Sequence, residues 1–126
     1  MDLAASISDA ELEVMRLLWR AGEPVPFSSI RKELSETIGW EKSTIATLLR
    51  RLQDKGAVVA REDGIRYYSP CISKDEYARA EEQSVIDKLY GGNAKNLVAA
   101  LCSRGKLSEA DIDDLKAYFQ MGGGER

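Results

Sequence analysis

The sequence predicts a mainly α-helical protein carrying one small β-hairpin, and three observations support this. Apolar residues recur at helical spacing in most of the chain, with Ser-x-x-Glu or Ser-x-x-Asp starts at Ser8, Ser73 and Ser108. Two runs rich in β-branched and aromatic residues, 57–61 and 65–69, flank Glu62-Asp63-Gly64, which is a hairpin signal. The hairpin follows a helix whose outward side is small and polar, and two shorter helices precede that one. This order is the layout of a winged helix-turn-helix. The expected organisation is a winged domain over 1–70, a three-helix dimerisation domain over 73–120, and a frayed tail over 121–126.

The elements follow in order. Ser8-Asp9-Ala10-Glu11 is a capping box opening a first helix that buries Leu12, Met15, Leu18 and Trp19 and stops at Ala21-Gly22, with Pro24 beyond. A second, short helix runs from Pro26 to Leu34 with Phe27, Ile30 and Leu34 facing in. Thr37-Ile38-Gly39-Trp40 connects it to the third, and Trp40 either packs beneath that helix or lies against a sugar-phosphate strand, packing being favoured. In the third helix, 42–54, Ile45, Leu48, Leu49 and Leu52 make one apolar face, and Lys55-Gly56 stops it. The wing spans 57–69. Tyr67 and Tyr68 alternate sides, so one of them joins the core.

The opposite side of the third helix carries Ser43, Thr47 and Arg50, flanked by Thr44, Ala46 and Arg51. Short hydroxyls and a methyl let a helix approach base edges closely, while a guanidinium grips phosphate or pairs with guanine. An amphipathic helix with such a wet side is ordinary when taken alone; its place between two helices and a charged hairpin makes it a recognition helix. Ser43, Thr44 and the amides at the helix start are expected on phosphate, Thr47, Arg50 and Ala46 on bases, and Arg51, Arg61 and Arg66 on backbone or minor groove. The wing can also be read as a plain solvated hairpin.

Net charge is −3, yet between Lys42 and Arg66 six basic residues (Lys42, Arg50, Arg51, Lys55, Arg61, Arg66) face three acidic ones (Asp54, Glu62, Asp63), a local balance of +3. Such a modest patch calls for two copies to grip DNA tightly. Hydrophobic residues at 44% and charged residues at 31% are those of an ordinary folded protein. No histidine is present, which removes Ser-His and Cys-His nucleophiles and the commonest transition-metal ligand. No catalytic residue, metal or cofactor is expected. Cys71 and Cys102 read as free thiols, Cys102 in the core of an apolar helix. The first seven residues lack the basic start and apolar run of a signal peptide and no membrane span follows, so a cytoplasmic location is expected.

Pro70 marks a boundary. Beyond it a helix to about Tyr90 carries Tyr77, Ala80, Val85, Ile86 and Leu89 and closes at Gly91-Gly92. A short helix follows with Leu97, Val98 and Leu101, then a last one with Ile112, Leu115 and Phe119. Three small helices bury little by themselves, and a twofold partner would cover them. Homodimerisation through Tyr77, Val85, Ile86, Leu89, Leu97, Val98, Leu101, Ile112, Leu115 and Phe119 would set two recognition helices about 34 Å apart, one turn of B-DNA. The arm folding back on its own winged domain is the other arrangement.

The chain resembles the penicillinase and methicillin-resistance repressor family, the BlaI/MecI type, from Ile7 to Phe119. The residues carrying the likeness are 7–11 with Val14-Met15 and Trp19, 43–52 with Lys55-Gly56, Tyr67-Tyr68-Ser69-Pro70, and Leu89-Tyr90-Gly91-Gly92 before 107–112. The resemblance implies a homodimeric transcriptional repressor with a winged domain on a palindromic operator and a helical dimerisation arm. It also implies relief, in the antibiotic-responsive branch, by a protease of a membrane sensor pathway under beta-lactam induction. The matching cleavage position is Ala100 and Leu101, where Ala-Leu stands in place of that branch's Asn-Phe pair. The copper-responsive relatives carry a C-terminal cysteine cluster that this sequence lacks after Cys102. The alternative function is a winged-helix protein-interaction module, for which the outward face of the third helix would be apolar rather than hydroxyl and guanidinium.

Overall fold

The computed structural model describes residues 7–120 and, of Phe119, the backbone alone. The tail 121–126, expected to fray, lies outside the described residues, as do residues 1–6 of the expected first domain. The fold is mostly helical with a three-stranded antiparallel sheet.

Helix α1, Asp9–Ala21, starts at the expected capping box: the Glu11 amide donates to Ser8 Oγ at 3.1 Å and the Ser8 amide donates to Glu11 Oε1 at 2.8 Å. It ends at Gly22, whose φ of 70° is the left-handed conformation that closes a helix at least cost in glycine. Its inward stripe holds Val14, Met15, Leu17 and Leu18, with Leu12 and Trp19 half-buried.

The next segment departs from expectation. Val25–Pro26 form a short strand, β1, and helix α2 begins one residue later, Phe27–Thr37. Pro26 is extended (φ −70°, ψ 151°) and has no amide to donate, which suits the edge of a sheet. Val25 pairs with Tyr68 and Pro26 with Tyr67. α2 also continues past Leu34 to Thr37, so the connector to the third helix shortens. There the Ile38, Gly39 and Trp40 amides all turn back to the Leu34 carbonyl.

Helix α3, Lys42–Asp54, has the predicted bounds. The wing is β2, Val58–Asp63, and β3, Ile65–Pro70, paired from Val58 with Pro70 to Asp63 with Ile65. The sheet order β1-β3-β2 places β3 centrally. Tyr68 is the wing tyrosine that enters the core, and Tyr67 is half-buried. The core gathers Met15 and Leu18 of α1, Ile30 of α2, Ile45, Leu49 and Leu52 of α3, and Ala57, Val58 and Tyr68 of the wing. Trp40 packs against its edge, as the favoured reading had it.

The exit from the wing is tied down. The Cys71 amide donates to the Ala57 carbonyl at 2.8 Å, and Trp19 Nε1 donates to the Ile72 carbonyl at 2.9 Å. Ser73 and Glu76 then form the second predicted capping box, opening α4, Lys74–Leu89. Two compact units result, the first ending at Ser84 and the second beginning at Val85. The second contains the end of α4, then α5, Ala94–Ser103, and α6, Glu109–Gln120, the last capped by the Ser8-like pair Ser108 and Asp111. No described side chain of α4, α5 or α6 is fully buried. No helix of the described residues is long and apolar enough to cross a membrane.

Candidate nucleic-acid interface

The interface is built on the two faces of α3. Ile45, Leu48, Leu49 and Leu52 turn into the core, none more than 5% exposed, and lock the helix's rotation about its axis. With that face fixed, Ser43, Thr44, Ala46, Arg50 and Arg51 stand exposed and Thr47 is half-buried. Ser43, Thr44, Thr47, Leu48 and Arg51 line one shallow depression of about 250 Å³. The helix starts at Glu41, whose side chain makes no cap hydrogen bond. The first-turn amides of α3 are therefore left for another acceptor, and a phosphate oxygen is one that helix starts take readily. All six residues expected on this helix thus share one surface.

The wing contributes differently from its two arginines. Arg61 is exposed and lies across from Tyr67. Arg66 lies across from Glu62 and donates to its Oε1 at 3.3 Å, an exposed pair that solvent screens. Hydrogen bonding to Tyr68, then to Glu62, raises the Arg66 pKa further, so its charge is permanent.

Lys55, counted in the local positive balance, belongs to a different environment. Its ammonium donates to Glu11 Oε1 at 2.5 Å, and that carboxylate is 1% exposed. Burial works against Glu11's charge, but the Lys55 hydrogen bond and the Ser8 amide outweigh it and hold the carboxyl below its usual range. The positive surface around α3 thus rests on Lys42, Arg50 and Arg51, with Arg61 on the wing. Sequence reasoning saw Glu11 only as a cap. Its second oxygen contact comes from a residue that no local pattern links to it.

In the helical arm, Leu89, Val98 and Leu115 are exposed, Leu89 at 71%. Val85, Ile86, Leu97, Leu101 and Ile112 are half-buried, and the Phe119 side chain lies outside the described residues. Tyr118, absent from the expected set, is exposed. Tyr77 is instead engaged within its own winged unit, its ring centroid 5.7 Å from that of Trp19. Ala100 and Leu101 are half-buried in α5. Cys102 is a correction: it was expected in the core and is exposed, on a helix in which apolar composition does not bring burial, since no residue of α5 is buried. Among the described residues no cluster of three or more Cys, Asp or Glu side chains could hold a metal ion.

The penicillinase repressor family model matches residues 7–121. The chain belongs to the penicillinase repressor family. It is 34% identical over 110 residues to the penicillinase repressor of Bacillus licheniformis, covering 86% of this chain and 85% of that protein. It is 30% identical over 112 residues to the methicillin resistance regulatory protein MecI of Mammaliicoccus sciuri, covering 87% and 89%. The solution structure of monomeric Bacillus licheniformis BlaI in complex with the blaP half-operator matches it with a TM-score of 0.51 at 42% identity, over 56% of this chain and 87% of that one. The part shared with BlaI is a winged-helix DNA-binding domain, and the penicillinase repressor family is one of transcriptional regulators rather than enzymes.

Proposed function

We propose that the chain is a homodimeric transcriptional repressor that binds a palindromic operator through α3 and the wing and dimerises through α4–α6. The observation that carries this reading is the division of α3: an apolar face buried to 5% exposure or less, and an opposite face of Ser43, Thr44, Ala46, Thr47, Arg50 and Arg51. Ser43, Thr44 and the uncapped amides hold phosphate, Ala46, Thr47 and Arg50 meet base edges, and Arg51, Arg61 and Arg66 hold the backbone on either side. The complex of the BlaI relative with a half-operator supports DNA as the partner. The exposed hydroxyls and guanidinium groups favour it over the protein-interaction alternative.

The apolar side chains left open on the arm, Leu89, Val98, Leu115 and Tyr118, support dimerisation, since three small helices gain stability when a second copy covers them. Relief by proteolysis near Ala100 and Leu101 belongs to the same proposal. The bond lies in α5, a ten-residue helix without a fully buried side chain, which is the kind of element that opens locally. The work is done in the cytoplasm, where operators lie.

Fluorescence anisotropy of the full chain on DNA from upstream of its own gene, against shuffled DNA and across a salt series, tests the reading. Saturation at two protomers per site, tighter on the native DNA at every salt, is the expected result. Equal binding to both DNAs at every salt would remove the operator claim for that site.

A further inference from the structure

We propose that Asp54 is a specificity-determining residue of the DNA face that acts by repulsion: it keeps the Arg50 guanidinium off the phosphate backbone, so that Arg50 adds to binding only where a base edge receives it. The inference rests on the reading of α3 as the recognition helix and gives a role to the only carboxylate that helix carries.

Asp54 closes the outward stripe. Ser43, Thr47, Arg50 and Asp54 stand four, three and four residues apart, so they follow one another along the side of α3 opposite Ile45, Leu48, Leu49 and Leu52. Asp54 and Arg50 are both exposed, and among the described residues neither side chain has a hydrogen bond or an ion pair. The position does not serve the helix. Asp54 is the last residue of α3, where the unpaired carbonyls make the end negative, and a carboxylate there works against the helix. An unpaired residue set against its local rule calls for an explanation in function.

The dimensions supply one. A rise of 1.5 Å per residue puts Asp54 about 6 Å along the axis from Arg50 and about 16 Å from Ser43, whereas the major groove is about 12 Å wide. With the helix lying in the groove and Arg50 on a base edge, Asp54 stays over the groove, clear of both strands. With Arg50 resting on a phosphate, Asp54 stands one turn from the same strand, within the screening length of about 8 Å at physiological ionic strength. The attraction of one charge is then offset by the repulsion of the other. Arg51 escapes this pairing, because it stands on the flank that carries the depression, with Thr44 and Leu48, and reaches phosphate to the side of the stripe. Two opposite charges set out in this way contribute to binding at matching bases and withhold it elsewhere, and a difference of that kind is what discrimination requires.

The test uses duplexes enriched by the full-length chain from a random DNA pool, with a shuffled duplex of the same composition beside them, both titrated by fluorescence anisotropy. Asp54→Asn is expected to bind the shuffled duplex about three- to tenfold more tightly, as loss of one like charge at this range allows, and the enriched duplex within about twofold of wild type. Asp54→Glu keeps the charge and should keep the wild-type ratio of the two affinities. In an Arg50→Ala background, Asp54→Asn should gain less than about twofold on the shuffled duplex, because the guanidinium that it restrained is gone. Unchanged binding of Asp54→Asn to the shuffled duplex overturns the proposal, as does an equal gain on both duplexes or a gain that survives Arg50→Ala. An equal gain from Glu23→Gln, an exposed carboxylate between α1 and β1, reduces the effect to net charge and overturns it too. Loss of a cytosine from the sequences that Asp54→Asn enriches, with shuffled binding unchanged, makes Asp54 a direct reader of a base instead. If Asp54→Asn does not fold, Asp54→Ser carries the same comparisons. A wild-type chain that enriches no sequence at all sinks the reading of α3 itself, and that outcome is distinct from all the others.

Discussion

Glu11 Oε1 accepts from Lys55 Nζ at 2.5 Å and from the Ser8 amide at 2.8 Å, so a single buried carboxylate joins the start of α1 to the end of α3. Residues 44 apart in sequence meet there at the corner where the recognition helix turns into the wing. Breaking a buried ion pair from one side leaves the other charge uncompensated. Lys55 keeps some access to water, which softens the cost. Glu11→Ala is expected to destabilise the fold by about 2–4 kcal/mol in urea unfolding, and Glu11→Gln by less, since its amide oxygen still accepts from Ser8.

The same carboxylate gives stability a pH dependence. Its folded pKa lies below the reference value of 4.5, so its contribution is complete above that value and is lost as pH falls through the lower folded one. Unfolding midpoints measured from pH 7 to pH 3 should therefore fall at the acid end, and more steeply in the wild type than in Glu11→Gln. Equal slopes would mean that other carboxylates dominate.

Gly56 has a φ of 81°, and the position of an added Cβ is open space. Gly56→Ala thus meets only the backbone penalty of the left-handed region, about 1–2 kcal/mol. A calorimetric loss well beyond that would point to a displaced wing.

On the DNA side, Arg50→Ala should weaken operator binding by about 1–3 kcal/mol and relax sequence preference, while binding to random DNA changes little. An equal loss on both DNAs would make Arg50 a phosphate contact.

Glu62 and Arg66 form an exposed cross-strand pair, so Glu62→Gln should change stability by less than about 0.5 kcal/mol. If Arg66 contacts phosphate, removing its partner's charge should tighten binding to random DNA and steepen the salt dependence. No change in that dependence would take Arg66 out of the interface.

Leu89 is 71% exposed and Leu115 is 41% exposed. On the proposed dimeric reading, Leu89→Asp with Leu115→Asp should shift the chain to monomer in sedimentation equilibrium and leave the winged domain folded, because neither side chain is part of the buried core; an unchanged sedimentation mass would take this face out of the proposed interface.

Much of this architecture was written locally. The bounds of α3 followed from the four-residue apolar stripe ending at Lys55-Gly56, and the three helix starts at Ser8, Ser73 and Ser108 were legible because a capping box needs only residues three apart. The surface of α3 was legible for the same reason: once Ile45, Leu48, Leu49 and Leu52 face inward, helical geometry places Ser43, Thr47 and Arg50 outward. What escaped was non-local. β1 is two residues long and exists only because Tyr67 and Tyr68 of the central strand pair with it. The partner of Glu11 lies on another helix. Cys102 misled because Leu101 and Ser103 beside it say that a helix is present, while only packing says whether anything lies over that side. Tyr77 had the spacing of an arm residue, and its contact with Trp19 has no signal in either residue's neighbourhood.

Among the described residues, the cluster of buried side chains runs from Ile7 to Tyr68. If the arm pairs two copies as proposed, mass action makes the abundance of the chain a control in its own right: it would set the share of molecules able to hold both halves of an operator at once.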